Sequence, residues 1–173
     1  MEINKERLLA VKAFVFDIDG VLTNNMVLLA PDGQVLRQMN SKDGFALQYA
    51  SRKGYKIAFI TGGNNQVVKE RLQELCNAEV YLLSKHKWPV MQEYLSKHGL
   101  SASEIAYMGD DLPDFEVLQQ VGIAACPADA VPEIQEICTF ISSFRAGETC
   151  VRELIETVLK EKGDWFHKQD LYW

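Results

Sequence analysis

Two carboxylates one residue apart, Asp17 and Asp19, stand where the apolar run Phe14-Val15-Phe16 gives way to Gly20-Val21-Leu22-Thr23. Burying such a pair carries a large desolvation penalty, so both acids belong at a strand's carboxyl end, facing a cation or a phosphate. Two further apolar runs end in polar turns. Lys56-Ile57-Ala58-Phe59-Ile60 leads into Thr61-Gly62-Gly63, and Ile105-Ala106-Tyr107-Met108 into Gly109-Asp110-Asp111-Leu112-Pro113-Asp114. If Asp17, Asp19 and Asp110 converge, they make an all-oxygen donor set without histidine or cysteine, which suits a hard cation such as Mg²⁺ better than zinc. A magnesium ion with few protein ligands takes up phosphate oxygens, so the matching substrate is a phosphate ester. Phosphoryl transfer needs an in-line nucleophile, an acid for the leaving alcohol and neutralisation of charge. A carboxylate can be that nucleophile, passing through an aspartyl-phosphate.

These turns need elements that bring them together. Residues 12–17 read as a first strand, and residues 18–24 as a tight acidic loop. Residues 26–39 carry a β-prone run, a Pro31-Asp32-Gly33 turn and a second run through Val35 and Leu36, which is a hairpin pattern. From Asp43 to Gly54, apolar residues recur at helical spacing. Four more strands follow, at 56–61, 79–82, 105–108 and 123–126, separated by helices. One of those helices starts around Pro89, and shorter ones cover 131–138 and 151–159. Alternation at this spacing predicts an α/β fold, a parallel sheet with helices on both faces, whose ligands bind at the carboxyl ends of the strands where strand order reverses.

With 173 residues, 47% apolar and 24% charged, the chain reads as one globular domain over 1–173. A net charge of −6 disfavours nucleic acid, and an anionic substrate then requires placed cations and a metal. Cys76, Cys126, Cys138 and Cys150 match neither a zinc motif nor a disulfide framework. The charged start is unlike a secretory signal, and no stretch approaches the roughly 20 apolar residues of a membrane span, so a cytoplasmic protein is expected.

Asp17-Ile18-Asp19-Gly20-Val21-Leu22-Thr23 resembles the first motif of the haloacid dehalogenase superfamily, and Gly109-Asp110-Asp111-Leu112-Pro113-Asp114 resembles the fourth. Thr61 is placed like the second motif and Lys87 like the third. The resemblance implies a Rossmann-like phosphatase fold with Asp17 as nucleophile and metal ligand. Asp19 would be the general acid and base, lending its main-chain carbonyl to Mg²⁺, and Asp110 the third metal ligand. Thr61 would hydrogen-bond the phosphoryl group, Lys87 would neutralise it, Asp114 would orient Lys87, and Asp111 would support the site from behind.

Residues 24–42 are all that separate Thr23 from Asp43, which leaves no room for an inserted cap domain; the hairpin flap at 26–39 is what remains. Met26, Val27, Leu28, Leu29, Val35 and Leu36 exceed what one flap hides, so the hairpin is expected in an oligomer interface rather than folded on its own core. This capless pattern, with Lys42-Asp43-Gly44, is similar to the 3-deoxy-D-manno-octulosonate 8-phosphate phosphatase family, which implies a magnesium-dependent homotetramer of lipopolysaccharide sugar synthesis. A sister group acts on nine-carbon ulosonate phosphates of the sialic acid type, and Arg145-Ala146-Gly147-Glu148 is close to its Arg-Gly-Gly-Glu. Many octulosonate phosphatases have arginine directly after the Thr-Gly of the second motif, where this chain has Gly63 and then Asn64-Asn65. Both substrates carry a carboxylate, so Lys42, Arg71 and Arg145 are candidate cations for it, with Gly62 beside the phosphoryl group. The aromatic tail, residues 163–173, would close over a neighbouring site or pack on its own domain. A non-catalytic binding module is opposed by the intact acids Asp17, Asp19 and Asp110, and a phosphotransferase or mutase by the lack of a cap.

Overall fold

A computed structural model of the chain describes residues 4–168. Six parallel strands make one sheet in the order β5-β4-β1-β6-β7-β8. They are β1 (Ala13–Phe16), β4 (Lys56–Ile60), β5 (Glu79–Tyr81), β6 (Ile105–Met108), β7 (Ile123–Cys126) and β8 (Phe140–Ile141). The chain builds outward from β1 to β4 and β5, then returns to β6 on the other side. Strand order therefore reverses at β1, the position where an α/β sheet opens a ligand crevice.

The strands bury both faces, as parallel strands must when helices cover them. Phe14, Phe16, Phe59 and Met108 point to one core, filled by α2 (Ser41–Arg52), α3 (Gln66–Cys76) and α7 (Cys150–Lys162). Val15, Ile60, Tyr107 and Cys126 point to the other, against α4 (Lys87–His98), α5 (Phe115–Leu118) and α6 (Pro132–Ile137). A short α1 (Lys5–Ala10), capped by the Asn4 side chain, leads into β1. All four cysteines are buried and unpaired, and no helix among the described residues is long and apolar enough to cross a membrane.

Element boundaries differ from the sequence reading mostly by one to three residues. Asn40 caps α2 by accepting from the Lys42 amide, so that helix starts ahead of Asp43. The strand β8 was not expected, because two residues between polar neighbours carry no periodicity; it is recruited by parallel pairing with Ala125 and Cys126.

The hairpin, β2 (Leu28–Leu29) paired antiparallel with β3 (Val35–Leu36), is the sole insertion between β1 and α2. Its apolar side chains do not fold onto the domain's core: Met26, Leu28 and Leu29 are 71%, 66% and 73% exposed. The first part of the tail does pack on its own domain. Trp165 packs at a tilt against Tyr49, ring centroids 4.8 Å apart, and Tyr55 donates to the Asp164 carboxylate at 2.7 Å. These contacts hold the tail's start near the amino ends of the strands, and residues 169–173 lie outside the described residues.

Asp43 joins α2 to α7. Its Oδ1 accepts from the Arg152 amide at 2.8 Å, while its fully buried Oδ2 has no partner. Burial dominates over the helix-terminal amides and raises its pKa to about 6. With a folded value above the unfolded one, the native state binds the extra proton, so stability falls as pH rises from about 4 through 6 and the loss persists above that. The shift corresponds to at most about 3 kcal/mol. Asp43→Asn keeps the acceptor and removes the charge. Its melting temperature is expected to exceed that of the parent at pH 8 by several degrees and to converge with it at pH 4, as calorimetry across that range will read.

Candidate active site

Three turns at the carboxyl ends of β1, β4 and β6 meet around β1. After Phe16 the chain turns sharply, and the Val21, Leu22 and Thr23 amides all return to the Ile18 carbonyl. Gly20 sits at φ +86°, and a Cβ there would lie 2.0 Å from Asp110 Oδ2, so only glycine lets the first turn approach the third. Gly109 is constrained in the same way, since its Cβ would fall 2.3 Å from Asp114 Cγ.

The Lys87 ammonium lies at the centre. It occupies the first residue of α4 with its side chain only 2% exposed, and it donates to Asp17 Oδ2 and Asp114 Oδ1, each at 2.7 Å. Burial works against this cation, but Asp114 and Asp17 outweigh it and hold its pKa above the ordinary lysine value. Lys85, the other lysine of the loop, is exposed. Asp114 is held from every side: Tyr107, in the middle of β6, donates to Oδ1, and the Asp110 amide donates to Oδ2 at 3.2 Å. Asp17 Oδ1 accepts from the Ile18 amide at 2.6 Å.

Asp110 faces this group without a matching cation; Asn25 donates to its Oδ2 at 3.3 Å. Burial, then Asp17 and Asp114, push its pKa up to about 8. Asp17 is pushed to about 6, first by burial and then by Asp114, against the pull of Lys87. Ligand oxygens of Asp17, Asp110 and Asp114 lie within 4.8 Å of one another. A hard divalent cation fits this donor set, because it supplies the charge whose lack raises the two pKa values. Asp17 and Asp110 could bind it directly, whereas the Asp114 oxygens are committed to Lys87, Tyr107 and main-chain amides.

The Asp19 carboxylate turns away from this cluster. It takes a two-pronged ion pair from Arg37, Nε to Oδ1 at 2.7 Å and Nη2 to Oδ2 at 2.8 Å, and Thr23 Oγ1 donates to Oδ1 at 3.2 Å. Thr61 is buried at the end of β4; its hydroxyl oxygen accepts from the Gly63 amide at 3.1 Å, and its carbonyl accepts from the Ser84 amide. Gly62 is exposed in the same turn. Asp111 is exposed and its side chain accepts from the Leu112 amide.

The proposed carboxylate readers fare differently. Lys42 and Arg71 are exposed on α2 and α3. Arg145 is also exposed, with Nε 3.3 Å from Asp129, although its neighbour Gly147 docks on the first turn by donating to the Val21 carbonyl at 3.0 Å. No described ion pair joins these three cations to the acids of the site. Arg37, Tyr107 and Asn25 were not anticipated. Arg37 was legible only as a lone cation at the end of the flap's apolar run, and Tyr107 as the one hydroxyl in an otherwise apolar strand.

The fold and these acids define a capless, Rossmann-like α/β protein with its acidic turns at the sheet's switch point. Comparison with known proteins gives the family. Residues 75–149 match the model of haloacid dehalogenase-like hydrolases. The 3-deoxy-D-manno-octulosonate 8-phosphate phosphatase of Salmonella typhi is 28% identical over 153 residues, spanning 88% of this chain and 81% of the relative. A Legionella pneumophila structure assigned to the haloacid dehalogenase superfamily, subfamily III A, superposes with a TM-score of 0.89 at 31% identity, over 92% of this chain and 87% of that one. The octulosonate 8-phosphate phosphatase of Moraxella catarrhalis, solved with magnesium, phosphate and its sugar acid, gives 0.90 at 25% identity over 93% and 92% of the two chains. The chain belongs to the haloacid dehalogenase superfamily, among its phosphoric monoester hydrolases.

The raised values of Asp17 and Asp110 predict how the metal-free protein responds to charge removal. Both carboxyls are pushed above the unfolded value, so the stability of the metal-free form falls as pH rises from about 4 to 8. Asp110→Asn is expected to melt higher than the parent without metal at pH 8. It should also lose the upward shift that millimolar Mg²⁺ gives the parent. Equal Mg²⁺ shifts in both proteins would remove Asp110 from the cation site.

Proposed function

We propose that the chain, read as a single catalytic domain over 1–173, is a magnesium-dependent phosphatase of a sugar-acid phosphate, with 3-deoxy-D-manno-octulosonate 8-phosphate as substrate. The observation that carries the chemistry is the buried Asp17–Lys87–Asp114 chain with Asp110 beside it. The likeness to octulosonate phosphatases over nearly the whole chain supports the substrate.

In this reading Asp17, held by Lys87 and the Ile18 amide, attacks the phosphorus in line and becomes an aspartyl-phosphate as the ester oxygen leaves. Asp19 gives the leaving oxygen its proton and then takes one from the water that hydrolyses the intermediate, returning Asp17 and releasing phosphate. Lys87 balances phosphoryl charge, Thr61 and Gly62 bind its oxygens, Asp114 keeps Lys87 in place, and Asp111 caps the turn that carries Asp110. Asp17, Asp110 and the main-chain carbonyl of Asp19 would hold magnesium, which when bound would supply the positive charge that offsets repulsion between the carboxylates and the phosphoryl oxygens.

The exposed apolar hairpin supports assembly, which we read as a homotetramer with the flaps at its centre. A cytoplasmic site of action in lipopolysaccharide sugar synthesis follows from the same assignment. A second substrate, a nine-carbon ulosonate 9-phosphate, is favoured by one feature: the Arg145-Ala146-Gly147-Glu148 segment docks on the catalytic turn, and Asn40 Nδ2 donates to the Gly147 carbonyl at 3.1 Å.

Phosphate release from the two ulosonate phosphates, with Mg²⁺ and with chelator, tests the assignment. The eight-carbon ester is expected to turn over at least tenfold better by kcat/KM, and chelation to abolish both reactions. Release from neither ester would overturn the substrate. Asp17→Asn should lower kcat by roughly 10³ or more while leaving the fold intact, and retained turnover would exclude Asp17 as nucleophile. Leu28→Ser with Leu29→Ser is expected to shift the protein to smaller species in sedimentation.

A further inference from the structure

Arg37 has a place in the site that none of the assigned roles uses. Its side chain, 11% exposed, is not a loose surface cation. It leaves the flap just after β3 and grips both oxygens of Asp19. Both oxygens of Asp19 are thus taken up by the flap, and Oδ1 by Thr23 as well, so the pair describes a resting arrangement of the proposed acid.

Two cavities meet at this guanidinium. One, of about 10 Å³, lies between Asp19, Arg37, Thr61 and Gly63 and is too small for a sugar phosphate. The other, of about 420 Å³, is an open concavity of the flap itself, between Met26, Leu28, Leu36 and Gln38, with Arg37 in its wall as well. Its volume falls in the range of small-molecule sites. Arg37 is the one residue that the two linings share, so its side chain is the element of the flap whose position bears on both. The guanidinium makes no contact with Asp17 or Asp110. It meets the site through Asp19, the residue proposed to protonate the departing alcohol.

We propose that Arg37 is a gate and a reader of the leaving group: it closes the empty site by pairing with Asp19, and it opens by transferring its two-pronged grip to a carboxylate on the departing sugar. The exchange replaces one fork-to-carboxylate pair with another, so a substrate bearing that carboxylate opens the gate with little loss of interaction. A phosphate ester with an uncharged leaving group must break the pair without replacement. The gate thus selects sugar-acid phosphates by kinetics as well as by binding. The identity of the carboxylate rests on the proposed function above; the closing of the site by the Arg37–Asp19 pair does not.

The test compares the parent, Arg37→Met and Arg37→Lys on an ulosonate phosphate and on an aryl phosphate that has no leaving-group charge. Arg37→Met is expected to raise KM for the ulosonate phosphate at least tenfold and to raise kcat/KM for the aryl phosphate at least twofold. Arg37→Lys should recover part of the first effect. Calorimetric titration with the free sugar acid should show the same tenfold loss in Arg37→Met, a change that disturbed packing alone would not confine to the acid. Equal losses on both esters would overturn the gate and make Arg37 a residue that positions Asp19; no change on either would remove it from the site. If the parent fails to hydrolyse ulosonate phosphates, the substrate assignment falls. The gate is then decided by the aryl phosphate, where an unchanged or lower kcat/KM overturns it. Should Arg37→Met not fold, as judged by its melt, Arg37→Lys and Arg37→Gln carry the comparison.

Discussion

One ammonium buried between two carboxylates is the contact on which the rest of the molecule depends. Lys87 is almost fully enclosed, and an unpaired charge there would be strongly destabilising. Its two partners come from opposite ends of the chain's folding plan, Asp17 from the end of β1 and Asp114 from the turn after β6. The ammonium itself comes from the start of α4. The contact therefore fixes three elements at once. Secondary constraints radiate from it: Tyr107 must carry a hydroxyl inside a strand, and Gly109 and Gly20 must lack side chains so that Asp114 and Asp110 can close in.

Charge balance explains why the arrangement suits a cation. Asp17, Asp110 and Asp114 contribute −3 when ionised and Lys87 +1, so the cluster stands at −2. Burial intensifies that imbalance, and the raised pKa values of Asp17 and Asp110 are its expression. A divalent ion brings the sum to zero. The proposed phosphate substrate would then meet a neutral pocket.

The sequence was most informative where chemistry and backbone geometry coincide. The Asp17-Ile18-Asp19-Gly20 and Gly109-Asp110-Asp111 stretches show their acids and the glycines that let them approach each other, and the alternation of strands and helices places both at one edge. Lys87 was harder, because only burial separates it from Lys85 two residues earlier, and burial is a tertiary property. Cations for a substrate carboxylate are not marked by composition. Lys42, Arg71 and Arg145 are exposed like ordinary surface charges, and Arg37 owes its position to the hairpin's path over Asp19. The two-residue strand β8 was invisible for a related reason, since its pairing with β7 rather than its own pattern makes it a strand.

Reaction and selection occupy parts of the molecule with different mechanical character. The acids stand on strands with both faces packed, where side chains are held by neighbours on every side. The flap has only two residues in each of its strands and turns its largest apolar side chains outward. It is tied to the domain through polar contacts, Arg37 to Asp19 and Asn65 Nδ2 to the Val35 carbonyl at 3.2 Å. A flap held by apolar burial would be indifferent to what enters the site. One held by an ion pair to the proposed acid responds to any anion that competes for the guanidinium, so the weakest-packed element of the fold is the one whose position reports what the site contains.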